Sequence, residues 1–185
     1  MKLFGSYTSP YVRHCRVALA QSNLDFEFIE ADYAKSAQDS ATAKVPYLID
    51  GDLMLTDSSS ILKYIREKSG MAFLADLEDY DTFAMANTIL DAIINLFLIE
   101  NNGFGPDKIP YLARQKNRIE SGLKELNQRI DPSNGIASDS ALRSACLIDW
   151  ALFRKRIDIS ELDNLQALLK AANQVKGFSS TAPHA

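Results

Sequence analysis

The 185-residue sequence predicts an α/β first half joined to an all-α second half. Two observations carry this. Short apolar runs alternate with helix signals up to about Gly70, in the order βαβ, connection, ββα. From Tyr80 onward the apolar residues recur at helical spacing, and no credible strand remains. The domains expected are residues 1–72 and residues 80–185.

Each element has its own local reason. Residues 2–5 read as a strand. Ser9-Pro10 then opens a helix, because serine caps well and proline suits the first helical position; Val12, Val17, Leu19 and Ala20 line it to about Asn23. Residues 25–30, with Phe26, Phe28 and Ile29, alternate as a second strand, and the polar, alanine-rich run 34–44 holds a short irregular helix. Residues 45–49 and 53–56 are strands joined by Asp50-Gly51-Asp52, Asp-Gly between apolar runs being a hairpin signal. Thr56-Asp57-Ser58 starts a helix with Ile61, Leu62, Tyr64 and Ile65 on one face. In the second half Leu90, Ile94 and Phe97 mark one helix, and Ile119, Leu123, Leu126 and Ile130 another. Residues 131–135 break the chain; helices over 140–155 and 160–176 follow, with Trp150 and Phe153 at core spacing.

Composition excludes several classes. Lys and Arg number 20 against 24 Asp and Glu, a formal charge of −4 that disfavours nucleic-acid binding. The opening Met1-Lys2-Leu3-Phe4-Gly5-Ser6 has no apolar signal core, so a cytoplasmic location is expected. The most apolar stretch, residues 89–99, contains Asp91 and Asn95; it reads as too short to cross a membrane and as a buried helix instead. The 2 cysteines, Cys15 and Cys146, lie far apart, which supports neither a disulfide scaffold nor a zinc site nor a dithiol redox motif. His14 and His184 have no sequence partners that suggest catalysis or a metal, Arg13 and Arg16 read as surface charges, and Cys15 reads as packing.

Three local motifs sharpen the picture: Ser6-Tyr7-Thr8-Ser9-Pro10-Tyr11-Val12-Arg13 at the first strand-to-helix turn, Lys44-Val45-Pro46-Tyr47-Leu48 before the hairpin, and Asp57-Ser58-Ser59-Ser60-Ile61 at the next helix start. The element order resembles a thioredoxin fold. The motifs in their order, followed by an all-helical half, resemble the glutathione S-transferase family. The opening MKLFGSYTSPYVR, the Phe153-Arg154 pair and the 178–183 tail are most similar to its short bacterial YibF-type branch. The sequence departs from the family at residues 40–43, where Ser-Ala-Thr-Ala replaces Asn-Pro-x-Gly. Ala137 and Ser140 stand where the family has a Ser/Thr-x-x-Asp cap.

Read from the residues alone, Ser9 and Ser58 are helix N-caps, Pro46 is an edge proline with a trans bond, and Lys44 is solvated. The resemblance implies more. A glutathione transferase binds an anionic tripeptide and lowers its thiol pKa, and a hydroxyl at a helix head helps by hydrogen bond and dipole. It implies Ser9 as the catalytic hydroxyl at the thiol, with Thr8 and Tyr7 as alternatives. Val45–Pro46 would be cis, aligning the Val45 backbone with the cysteinyl unit. The free N–H groups at Ser58 would take the γ-glutamyl carboxylate, Asp57 the ammonium and Lys44 the glycine carboxylate. Glutathione would be the co-substrate, without a metal, and a small hydrophobic electrophile the second substrate. Its pocket would be built from the Tyr7–Tyr11 turn and the helix near residues 96–102. A homodimer is expected, with neither nucleic acid nor membrane as partner. Two other readings stand beside conjugation: glutathione-dependent reduction or peroxidase activity, disfavoured because position 9 lacks a cysteine, and a non-catalytic adaptor resembling the stringent starvation proteins.

Overall fold

The structure, a computed structural model, describes residues 1–183; His184 lies outside the described residues. The chain divides into two compact units, Met1–Phe73 with the described residues from Asn173 onward, and Leu74–Ala172. The tail from Asn173 thus packs in the α/β unit, not in the helical half to which residues 80–185 are assigned above.

The first unit runs β1 (Lys2–Gly5), α1 (Pro10–Ser22), β2 (Glu27–Glu30), α2 (Tyr33–Asp39), β3 (Tyr47–Asp50), β4 (Leu53–Leu55) and α3 (Ser58–Lys68). Its sheet has the order β2-β1-β3-β4, with β1 and β2 parallel and the other pairs antiparallel. β3 begins at Tyr47, two residues later than expected, after a proline that has no N–H for the ladder. The hairpin closes on Gly51 and Asp52 between the paired Asp50 and Leu53; Gly51 takes φ 60, which a glycine reaches at no steric cost.

Alternation sends Leu3 and Leu48 to one face of the sheet, Phe4 and Tyr47 to the other. Phe4 and Tyr47 stack with ring centroids 4.5 Å apart, in a cluster with Ala31, Ile29, Val45 and Ile49. α2 is tied to this face: Tyr47 donates its hydroxyl to Asp39 Oδ2 at 2.7 Å, and Lys35 Nζ lies 5.6 Å from the Phe4 ring centroid. α1 and α3 pack on each other, contributing fully buried Val12, Val17, Ile61, Leu62 and Ile65. At one end of the sheet Asp50 collects Lys68, the Tyr64 hydroxyl at 2.6 Å and the Met1 ammonium at 4.0 Å. Those partners hold its carboxyl below the usual range, and Lys68 is pushed up to about 12.

Arg13 is a correction. It is 2% exposed and therefore not a surface charge. The short α8 (Lys176–Ser179) packs on α1, and Arg13 reaches it: Nη2 donates to the Phe178 carbonyl at 3.0 Å and Nε to Thr181 Oγ1 at 3.4 Å.

The helical unit contains α4 (Leu77–Glu100), α5 (Pro110–Arg129), a 3-10 turn at Pro132–Asn134, α6 (Asp139–Phe153) and most of α7 (Asp163–Asn173). α4 contains the expected Leu90, Ile94 and Phe97 and corrects the sequence reading of its length. It has 24 residues and an 18-residue window of mean hydropathy 1.7, so by length and composition it is long enough to cross a membrane. Within the unit it packs against α5 and α6. Its buried stripe is Phe83, Ala86, Ile89, Leu90, Ile93 and Leu96, which rotates Ile94 and Phe97 toward the edge of the core. On α5 the expected face holds: Ile119, Leu123, Leu126 and the following Ile130 are all buried. α6 is capped by Ser138, whose hydroxyl oxygen accepts from Ala141 N at 3.2 Å. The cap is therefore present, with alanine in place of an acid three residues on. Trp150 is buried at the core spacing, whereas Phe153 at the helix end is 36% exposed.

Gly5 sets the distance between β1 and α1. A Cβ there would stand 2.5 and 2.6 Å from the two γ-methyl carbons of Val12, a β-branched side chain with little rotamer freedom. Gly5→Ala is expected to destabilise by about 1–3 kcal/mol through overpacking. Urea unfolding checks it: the midpoint should fall at unchanged slope, and an unaltered midpoint refutes the close contact.

Candidate functional site

The register brings three turns to one end of the sheet. β1 ends at Gly5, β3 starts beside it because Phe4 pairs with Tyr47, and β4 ends there because Leu48 pairs with Leu55. The Ser6–Ser9 turn, the Val45–Pro46 bend and the Asp57–Ser58 helix start therefore share the end opposite Asp50. β2 also ends there, Gly5 pairing with Glu30. A cavity of about 530 Å³ opens between its exit and the first turn, lined by Ser6, Glu30, Ala31, Asp32 and Lys35. Carboxyl ends of strands are the usual ligand edge of such sheets.

Ser9 is the N-cap of α1: its Oγ accepts from Val12 N at 3.3 Å, and its carbonyl accepts from Arg13 N at 3.0 Å. Accepting uses a lone pair and leaves the hydroxyl hydrogen available, so capping and donating to a ligand are compatible. The neighbouring hydroxyls differ. Thr8 Oγ1 and Ser6 Oγ hydrogen-bond each other at 3.1 Å. The Tyr7 ring meets Phe28 edge-on at 5.0 Å, with Arg16 lying 5.0 Å and 4.9 Å from the two ring centroids. Arg16 is half-buried, and desolvation pulls its pKa down.

The Val45–Pro46 peptide is cis. Among the described residues, neither the N–H nor the C=O of Val45 has a backbone partner. Lys44 is exposed. The loop before it keeps a tight turn without the glycine: Ala43 adopts φ 50, its N–H donates to the Ser40 carbonyl at 2.9 Å, and the Ser40 and Thr42 hydroxyls meet at 3.0 Å. A left-handed alanine costs about 1–2 kcal/mol, which these local bonds offset.

At the α3 head the cap is Asp57, not Ser58. Asp57 Oδ1 accepts from Ser59 N at 2.8 Å and Ser60 N at 3.3 Å, so those N–H groups already have an anion of the chain itself. An acidic side chain outcompetes a serine here because the carboxylate also favours the positive end of the helix dipole. Ser58 is the first helical residue and is 7% exposed. Its carbonyl faces the Cys15 thiol of α1 at 4.0 Å, a contact between residues 43 apart that no local pattern signals. Cys15 and His14 are fully buried in α1. Among the described residues no group of three or more His, Cys, Asp and Glu is gathered as a metal site.

A small mixed sheet with helices on both faces, ligand-edge turns at one end and a separate helical unit define the glutathione S-transferase class of fold. Among solved structures, a glutathione S-transferase from Methylobacillus flagellatus, crystallised with glutathione bound, matches with a TM-score of 0.85 at 24% identity, over 99% of each chain. Residues 3–72 match the family model for the glutathione S-transferase N-terminal domain. The chain is 27% identical to the uncharacterized GST-like protein YibF of Escherichia coli K12, over 84% of each chain. It is 24% identical to a zeta class glutathione S-transferase of Euphorbia esula, over 99% of this chain and 90% of that one. Residues 3–72 thus carry a glutathione S-transferase N-terminal domain, and the chain as a whole has the glutathione S-transferase fold.

The α2–β3 tether beside the site is pH-dependent. Hydrogen bonds from Lys35 and then Tyr47 hold the Asp39 carboxyl below its ordinary pKa, and burial together with Asp39 pushes the Tyr47 phenol up. A depressed carboxylate contributes stability above its unfolded pKa, near about 3.9, and loses it as pH falls toward the folded value. Tyr47→Phe is expected to lower the urea midpoint at pH 7, with the gap from wild type narrowing below about pH 4. A gap constant across that range refutes the coupling.

Proposed function

We propose that this protein binds glutathione at the shared end of the sheet and conjugates its thiolate to small hydrophobic electrophiles. The observation that carries this is the register, which gathers the Ser9, Val45 and Asp57–Ser58 turns at one edge. Ser9 donates its hydroxyl to the sulfur while its oxygen keeps capping α1. Val45 offers an N–H and a C=O without backbone partners to the cysteinyl unit, in the manner of a short added strand. Asp57, with Oδ1 on the helix head, receives the γ-glutamyl ammonium. Ser58 receives the carboxylate, and Lys44 faces the glycine carboxylate.

The mechanism needs no covalent intermediate on the enzyme. The hydroxyl of Ser9 and the positive end of the α1 dipole favour the thiolate over the thiol, raising the fraction of nucleophile at neutral pH. The thiolate attacks the electrophilic carbon, a carbon–sulfur bond forms, and either the leaving group departs or the opened ring oxygen takes a proton from water. Position 9 holds no cysteine, so a mixed disulfide with the enzyme at that place does not arise.

Two measurements test this reading. Calorimetric titration should detect glutathione binding, weakened in Asp57→Ala/Ser58→Ala by about 1.5–3 kcal/mol for the charged hydrogen bonds lost; unchanged affinity places the ligand elsewhere. Ser9→Ala should raise the apparent thiol pKa in a conjugation rate–pH profile and slow the reaction roughly 10- to 150-fold, with binding nearly intact. Ser9→Gly is the control for capping, since glycine costs the helix only a few tenths of a kcal/mol. If both variants keep the wild-type profile, Ser9 is a cap alone. A wild-type protein that takes up no glutathione sinks the whole reading and favours an adaptor.

A further inference from the structure

The first turn of α1 is held from a part of the chain that the glutathione reading does not use. Arg13 sits one turn after Ser9 and donates its backbone N–H to the Ser9 carbonyl at 3.0 Å. Its guanidinium lies 3.8 Å from the Phe178 ring centroid, with Nη2 on the Phe178 carbonyl and Nε on Thr181 Oγ1. Phe178 is 0% exposed and Thr181 7%. A second contact lies two turns along α1, where an added Cβ on Gly177 would stand 3.3 Å from the Ala20 Cβ. Thr181 Oγ1 in turn donates within its own turn, to the Gly177 carbonyl at 2.9 Å. Arginine suits this place because its planar fork stacks on a ring and donates sideways at once, which a lysine cannot do. Burying such a cation is unfavourable, and an aliphatic side chain would pack α1 without that penalty. The arrangement makes sense as geometry control.

We propose that the segment of residues 173–183 is a brace that positions the head of α1, with Arg13 as its positioning residue. The inference rests on the reading that Ser9 meets the glutathione sulfur. The free N–H groups of a helix's first turn fray first, and the Ser9 hydroxyl is held by the Val12 N–H of that turn. Bracing Arg13 from outside keeps the turn formed before the ligand arrives. A hydroxyl that wanders by a fraction of an ångström loses its hold on the thiolate without emptying the site.

The test uses the full chain with Arg13→Met, Arg13→Lys, Phe178→Leu and, as a control outside this unit, Leu168→Ala. Conjugation by Arg13→Met and Phe178→Leu should show kcat lowered roughly 10- to 100-fold and the apparent thiol pKa raised, while KM for glutathione changes by less than about twofold. Arg13→Lys should fall between. Amide hydrogen exchange supplies a readout that needs no ligand: Val12 and Arg13 should lose protection in Phe178→Leu beyond the loss in Leu168→Ala at matched melting temperature. Equal loss in the two variants, or an unchanged pH profile in a folded Arg13→Met, overturns the brace. Absence of glutathione binding by wild type defeats the functional reading alone, and the exchange comparison still decides the positioning.

Discussion

A 13-residue helix with eight buried positions must be met on nearly every side, and the α/β unit is organised around meeting α1. β1 approaches it through Gly5, where any side chain would collide with Val12. α3 closes another side with Ile61, Leu62 and Ile65, and the Cys15 thiol touches the Ser58 carbonyl at the α3 head. The C-terminal turn closes a third through Arg13 and Phe178. Because Ser9 is the cap of this helix, the constraints that fix α1 also fix the place and orientation of the hydroxyl.

The two ends of the sheet are treated differently. At the Asp50 end, charge is consumed internally: a carboxylate, a lysine, a phenol and the chain's own ammonium satisfy one another. Exposed pairs of this kind contribute little to stability, but their opposite charges are matched to one another within the chain. At the other end, the polar groups are backbone N–H and C=O, a capping hydroxyl and a capping carboxylate, each with bonding capacity to spare after its structural work. That asymmetry is what makes one end a candidate site and the other a seal.

The helical unit shows how far a local pattern reaches. On α5 the apolar residues occupy a single stripe, so the spacing of Ile119, Leu123 and Leu126 names the buried face without ambiguity. On α4 apolar residues occur all round, the packing of α5 and α6 selects the stripe, and nothing local distinguishes Ile93 from Ile94. The caps follow the same logic. Asp57 and Ser138 each sit beside another capable residue, and which one caps depends on a single φ/ψ change at the helix entry.

By itself the sequence determined the α/β-then-α order, the hairpin at Gly51, the capped start of α1 and the α5 core face. Each of these is decided within a few residues by backbone preference or by a periodicity that the chain carries along its own length. It also put Ser9, Asp57 and Ser58 at helix starts and Val45 and Pro46 in a strand, but not at one edge; that needed the antiparallel register of β3 against β1 and β4. Only the tertiary structure turned Arg13 from a charge on a helix into a buried clamp, because its partner lies 165 residues away. It likewise decided that the tail from Asn173 belongs with the α/β unit. The physical reason is the same throughout: hydrophobic period and capping are local, while burial of a polar side chain depends on which distant group arrives to satisfy it.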